Sequence, residues 1–198
     1  MVTADLAELL VADAQGWRAW LADNHGASPG VWLVLTKKGG RTTTLTYAAA
    51  LDEALCFGWI DGQVARRDED SMRQRFTPRR PKSTWSRRNV EHVARLTAVG
   101  KMTRAGQAAV DAAKVDGRWE AAYPGPAAAE VPQDWAAALA RDAGARAMWN
   151  ILTSRNRYAI TYRIGQAKRP ETRAKRLAEF LAMLARGETI HPQNRSLN

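Results

Sequence analysis

The sequence contains one cysteine, Cys56. No disulfide can therefore close within the chain, which fits a reducing compartment and sets cytoplasmic as the expected location. Histidine is also scarce, with only His25, His92 and His191. No Cys/His cluster has the spacing of a zinc site, so no metal is expected. No apolar run reaches the ~20 residues of a membrane span, so no membrane partner is expected. The first eleven residues carry Asp5 and Glu8 and no basic residue, which is not the pattern of an export signal. Lys38-Gly39-Gly40 lacks the spacing of a phosphate loop, and no Ser-His-Asp order is defensible. No cofactor is expected.

What the chain does have is arginine and tryptophan. It has 198 residues, 45% of them hydrophobic, enough to bury a core unaided. The net charge is +10, and it is unevenly placed. Residues 1–62 carry 4 basic and 7 acidic side chains, and residues 105–140 carry 2 and 5. Residues 63–104 and 141–198 each carry 12 basic and 4 acidic. Arginine forks onto carboxylates and phosphates and stacks on rings. An anionic small molecule, a nucleic acid or an acidic protein surface all suit such blocks, and so does a solvated basic surface without a partner.

Hydrophobic periodicity predicts a helix over 14–24, capped by Asp13, with Trp17, Trp20 and Leu21 on one face. Residues 31–35 read as a strand. Thr46 caps a helix that runs to Leu55. Residues 59–64 and 72–77 read as a hairpin around the polar turn 68–70, with Arg73, Arg75 and Thr77 opposite Met72, Gln74 and Phe76. Ser86 caps a helix that ends at Gly100. Helices follow at 103–115, 133–141, 143–153, 154–167 and 171–186, the last with a stripe of Ala174, Leu177, Leu181 and Leu184. Residues 123–132 read as a Pro/Ala/Gly-rich linker. Strands and helices do not alternate, so the fold class is α+β: a small antiparallel sheet with helices over 1–122, then a helical bundle over 133–198.

The candidate site lies between Cys56 and Arg88. Asp61 follows a glycine turn at a strand entry. It either satisfies backbone donors there or faces a ligand and meets an arginine, Arg75 or Arg73. In an enzyme, Asp61 is the acid/base and Arg75 the anion stabiliser. Trp32, Trp59, Phe76 and Trp85 supply aromatic walls, with Lys37, Arg79, Lys82 and Ser83 as polar ligand contacts. Arg79-Arg80-Pro81-Lys82 is a proline-stiffened basic loop ahead of a helix start. Cys56, at a helix C-terminus far from any histidine in sequence, reads as a buried, inert thiol.

The stretches Trp17-Arg18-Ala19-Trp20-Leu21, Gly30-Val31-Trp32-Leu33, Leu45-Thr46-Tyr47, Glu53-Ala54-Leu55-Cys56-Phe57-Gly58-Trp59-Ile60-Asp61-Gly62, Arg75-Phe76-Thr77-Pro78-Arg79 and Lys82-Ser83-Thr84-Trp85-Ser86 resemble the YdeI/OmpD-associated family. The run Ala167-Lys168-Arg169-Pro170-Glu171-Thr172-Arg173 is similar to its helical C-terminal part. The resemblance implies a bacteriocin-protection or stress-associated role without an assigned reaction. For the N-terminal half it implies a YdhG/frataxin-like sheet. An iron site needs an oxygen-rich acidic cluster, and Asp68-Glu69-Asp70 sits among Arg66, Arg67 and Arg73. The leading expectation is a small, anionic ligand in a Trp/Arg/Asp-lined pocket. The alternatives are nucleic-acid binding by the basic blocks and a protein-interaction module.

Overall fold

The computed structural model describes residues 6–125 and 130–197. The protein divides into two compact units, 1–123 and 124–198. Residues 126–129 of the expected linker lie outside the described residues.

The first unit holds β1 (Glu8–Leu9), α1 (Ala14–Asn24), β2 (Val31–Thr36), α2 (Tyr47–Cys56), β3 (Trp59–Arg66), β4 (Ser71–Pro78), α3 (Arg87–Ala98) and α4 (Arg104–Val115). Asp13, Thr46, Ser86 and Thr103 each accept a backbone N–H two or three residues into the helix they precede. The sheet order is β1-β2-β4-β3. β2, β4 and β3 pair antiparallel, while β1 runs parallel to β2. The sheet is therefore mixed and not purely antiparallel. Two residues of β1 are too few to leave a period-2 signal, so the sequence reading missed that strand.

Pairing explains the core. Val31 faces Phe76 and Leu33 faces Gln74 across β2 and β4, so these residues share the covered face. On that side Trp17, Trp59 and Phe76 meet, with ring centroids 5.7 Å apart for Trp17 and Phe76 and 6.2 Å apart for Trp17 and Trp59. The Trp17 indole N–H donates to the Ala50 carbonyl (3.0 Å) and that of Trp59 to the His25 carbonyl (3.1 Å). The two large rings thus bury without orphaning their donors.

The α2–α3 contact includes a polar cluster. Asp52 lies 2.7 Å from His92 Nδ1 and accepts from Arg95 Nη2 at 2.7 and 2.8 Å. Burial works against the Asp52 carboxylate, but Arg95 and His92 overcome it and hold the group below its usual value of 3.8. A carboxyl lowered by folding contributes stability above its unfolded value and loses it as the pH falls through the folded one. Asp52→Asn is expected to flatten the loss of melting temperature below pH 3.8, as read by thermal melts from pH 6 down to about 2.5.

The second unit holds α5 (Gln133–Arg141), α6 (Ala143–Ile151), α7 (Ser154–Gly165) and α8 (Pro170–Ala185). Trp135, Met148, Ile160, Ile164 and Leu184 form its core. Ala174 is exposed, and the inward face of α8 instead includes Leu177, Phe180, Leu181 and Met183. The reason lies one residue earlier. Arg173 donates to the Ile164 carbonyl (2.9 Å) and pairs with Asp134 (2.6 Å), so a long cation takes the place on the packed side. In all, the described residues form a four-stranded sheet and eight helices, an α+β fold. Among the described residues, no helix is long and apolar enough to cross a membrane.

Candidate functional site

The register of β3 on β4 separates the two residues expected to act together. Asp61 pairs with Phe76 and so lies on the covered face. Arg75 alternates with Phe76 and lies on the other face, opposite Trp32 of β2. Asp61 finds a different partner: the Tyr47 hydroxyl of α2 donates to its Oδ2 at 2.7 Å. Burial pushes the Tyr47 phenol up, and the Asp61 carboxylate adds to the shift. Tyr47 therefore stays protonated and ties α2 to β3.

The register shifts between Asp61 and Val64, so Gly62 and Gln63 together oppose Arg75. The buried Gln74 amide donates to both bulge carbonyls, at 2.9 Å to Gly62 and 3.3 Å to Gln63. That bulge opens a concavity of about 320 Å3 lined by Gly62, Gln63, Arg75, Thr77, Arg80 and Ser83, with Pro78 at its side. A Cβ at Gly62 would rest against the Arg75 stem at ordinary contact distance. The Arg75 Nε is buried with no acceptor.

The loop after β4 supplies the next wall. Ser83 Oγ accepts the Arg80 backbone N–H at 2.9 Å, and the Ser83 N–H returns to the Arg80 carbonyl at 2.9 Å. The loop is thus a closed turn. Arg79 is held from three sides. Its N–H donates to the Gly58 carbonyl (3.0 Å), Nη1 donates to Thr84 (3.1 Å), and its guanidinium lies 3.5 Å from the Trp85 ring centroid. Its Nε and Nη2 are buried without acceptors, as is the Trp85 indole nitrogen. Burial draws the Arg79 guanidinium down to about 10, against the pull of Tyr123 and Asp61. A second concavity of about 260 Å3 opens beside Arg79, with Arg80, Pro81, Ala109, Ala112 and Arg118 among its walls.

Apart from Asp61, which is bound to Tyr47, the expected site residues therefore fall into three groups. Arg75, Arg79 and Ser83 line neighbouring concavities. Trp59, Phe76 and Trp85 are at most 1% exposed and belong to the core, where they back the site without presenting a ring to a solute. Trp32, Lys37 and Lys82 line neither concavity. Trp32 is half-buried, 5.1 Å beneath the Arg73 guanidinium. Lys37 Nζ clamps the Asp68 carbonyl in the β3–β4 turn, at the opposite end of β4, roughly 20 Å of strand away. Lys82 is exposed. Arg80 and Arg118 were absent from the expected set. Arg80 sat inside the basic loop as one cation among four. Arg118 had no local signal, being brought in by the turn after α4, where it donates to the Ser83 carbonyl at 2.9 Å. Among the described residues, no group of three or more acidic, histidine or cysteine side chains could hold a metal ion.

Comparison with known families divides the chain in the same way. The family model of a domain of unknown function, DUF8412, matches residues 9–109. The chain belongs to that family. The model of bacteriocin-protection, YdeI or OmpD-associated proteins matches residues 128–187, supporting the family that the motifs resemble. The run Ala167–Arg173 falls inside this second match, whereas the motifs around Asp61, Arg75 and Trp85 fall inside the DUF8412 match. No curated protein and no solved structure matches the chain.

Proposed function

We propose that the protein binds a small anionic molecule at the concavity between the β3 bulge and the loop after β4. One observation carries this reading. Arg75 and Arg80 line that concavity with no acidic side chain among its walls, and Arg75 Nε has no acceptor. A cation held this way favours an anion, and its rigid fork matches a carboxylate or phosphate. Thr77 and Ser83 add hydroxyls to the same wall. The volume lies at the small end of ligand sites, near ~300 Å3.

The reading includes the finer layout implied by the resemblance. Residues 1–122 are then a YdhG/frataxin-like α+β domain and residues 133–198 a helical-bundle region. It also includes a protective role, to which the bacteriocin-protection family matched over residues 128–187 lends support. Sequestering a toxic or biosynthetic anion in the cytoplasm needs binding alone. Asp61, committed to Tyr47 and on the other face from Arg75, gives no support to an acid/base reaction with that arginine.

Titration calorimetry with inorganic phosphate and with acetate tests the proposal. Binding that Arg75→Ala weakens at least about tenfold supports it, since a charge-assisted bidentate contact contributes roughly 1.5–3 kcal/mol. Wild-type protein that takes up neither anion at low salt, or binding unchanged in Arg75→Ala, sinks it.

A further inference from the structure

Resting on that reading, we infer that the ligand carries two anionic groups joined by a short apolar spacer, one seated on Arg75 and Arg80 and the other on Arg79 and Arg118.

Two walls meet at one side chain. Arg80 lines both concavities, and its turn to Ser83 is closed by two hydrogen bonds of 2.9 Å. The turn is a fixed ridge with a cationic recess on each side. The second recess has its own need for an anion. Arg79 is a largely buried cation whose Nε and Nη2 find no acceptor, and the Trp85 indole N–H beneath it finds none either. A buried charge is costly unless it is matched, so the two unmatched donors of this one guanidinium, which lines the recess, point to an acceptor that arrives with a ligand.

Charge supports a count of two. Arg75, Arg79, Arg80 and Arg118 line the two recesses against one carboxylate, Asp116. Asp116 is already committed to Arg118 at 2.7 Å. The net +3 that remains exceeds what one monoanion neutralises. Composition supports the spacer, because Pro81, Ala109 and Ala112 give the second recess a broader alkyl wall than Pro78 gives the first. The recesses are also coupled: Arg118 Nη1 donates to the carbonyl of Ser83, whose side lines the first recess. A nucleic-acid strand fits less well. Sequence-tolerant strand binding uses open aromatic faces, and Trp59, Phe76 and Trp85 are buried.

Calorimetry on the full chain compares methylphosphonate with propane-1,3- and pentane-1,5-bisphosphonate at two salt concentrations. The expected result is at least about tenfold tighter binding of one bisphosphonate, with a spacer optimum that persists at higher salt, because the second group binds at high effective concentration. Arg79→Met is expected to bring the affinity ratio of bisphosphonate to methylphosphonate close to one. Met fills similar space, and a melt verifies that the variant is folded. Arg118→Gln keeps a donor for the Ser83 carbonyl and is expected to narrow the same ratio. Arg186→Ala makes the same charge change in the second unit, on a side chain paired with Glu188, and is expected to leave the ratio within about twofold.

Equal affinity for the three probes overturns the two-site inference while the single-anion reading stands. A ratio that follows probe charge regardless of spacer, or that survives in both Arg79→Met and Arg118→Gln, also overturns it. If none of the probes binds, the reading beneath it falls as well. Single-stranded oligonucleotides that bind tighter than either bisphosphonate, with affinity growing with length, assign the surface to nucleic acid instead.

Discussion

Gly106→Ala is expected to destabilise the first unit by roughly 3 kcal/mol, the upper part of the range for overpacking. A Cβ at this position of α4 would stand 2.1 Å from the Cys56 carbonyl oxygen, 2.6 Å from its carbon and 2.9 Å from the Leu55 oxygen. The obstacle is backbone at the end of α2, so no rotamer change relieves it. The same carbonyl accepts from Thr103 twice, through the backbone N–H at 3.1 Å and Oγ1 at 2.6 Å. The start of α4 therefore caps α2, and the helices can separate only by giving up that cap. For a domain of about 100 residues, such a loss lowers the melting temperature by roughly 10–20 °C.

Cys56 provides a second readout. It is the sole thiol, fully buried, and burial pushes its pKa up. A thiol reagent is expected to react with the native wild type only on global unfolding. Gly106→Ala is expected to react faster, because moving α4 uncovers the end of α2. A variant that melts within a degree or two of the wild type, with an equally silent Cys56, contradicts this account of the α2–α4 contact.

Glu53→Ala is expected to cost about 2–3 kcal/mol. The side chain is buried on α2, with Arg18 Nη1 at 2.6 Å and Lys101 Nζ at 3.6 Å. Breaking a wholly buried pair costs roughly 3–5 kcal/mol. Arg18 and Lys101 are both more than a third exposed, so water takes up part of their charge, and the figure is reduced accordingly. Arg18 loses its carboxylate but keeps the Lys101 carbonyl (3.1 Å) and the Phe57 ring (5.4 Å). Glu53→Gln retains the volume and one acceptor, so it is expected to recover about half of the loss in a chemical-denaturation series. Equal stability of the two variants would mean that charge, and not cavity, dominates at this position.

Gly106 and Glu53 both hold α2 in place, and α2 sets the position of Tyr47, the partner of Asp61. Gly58, at φ 74°, begins the turn from α2 into β3, and its carbonyl takes the Arg79 N–H at 3.0 Å. The frame under α2 is therefore also the frame of the anion loop. Loss of either contact is expected to loosen Arg79 before it affects the second unit.

Much of this was written in local sequence. The Asp13, Thr46 and Ser86 caps, the alternation of Met72 to Thr77 and the helical periodicities after residue 103 depend on neighbours three or four positions apart, or one. Periodicity sees those distances directly. The basic loop from Arg79 to Lys82 was equally legible, because composition needs no partner. Tertiary structure alone decided which of these residues meet. A bulge at Gly62–Gln63 and the pairing of Asp61 with Phe76 put Asp61 and Arg75 on opposite faces. In a strand, a shift of one residue exchanges the faces, and no residue type in the sequence declares that register. Trp59, Phe76 and Trp85 became core because a large ring is buried wherever the sheet and helices close over it. Arg118 reached Ser83 across 35 residues through the course of α4. The sequence determined the helices, most of the strands and the supply of arginine. The packing of α2 and α4 on the sheet determined which arginines were left without a carboxylate.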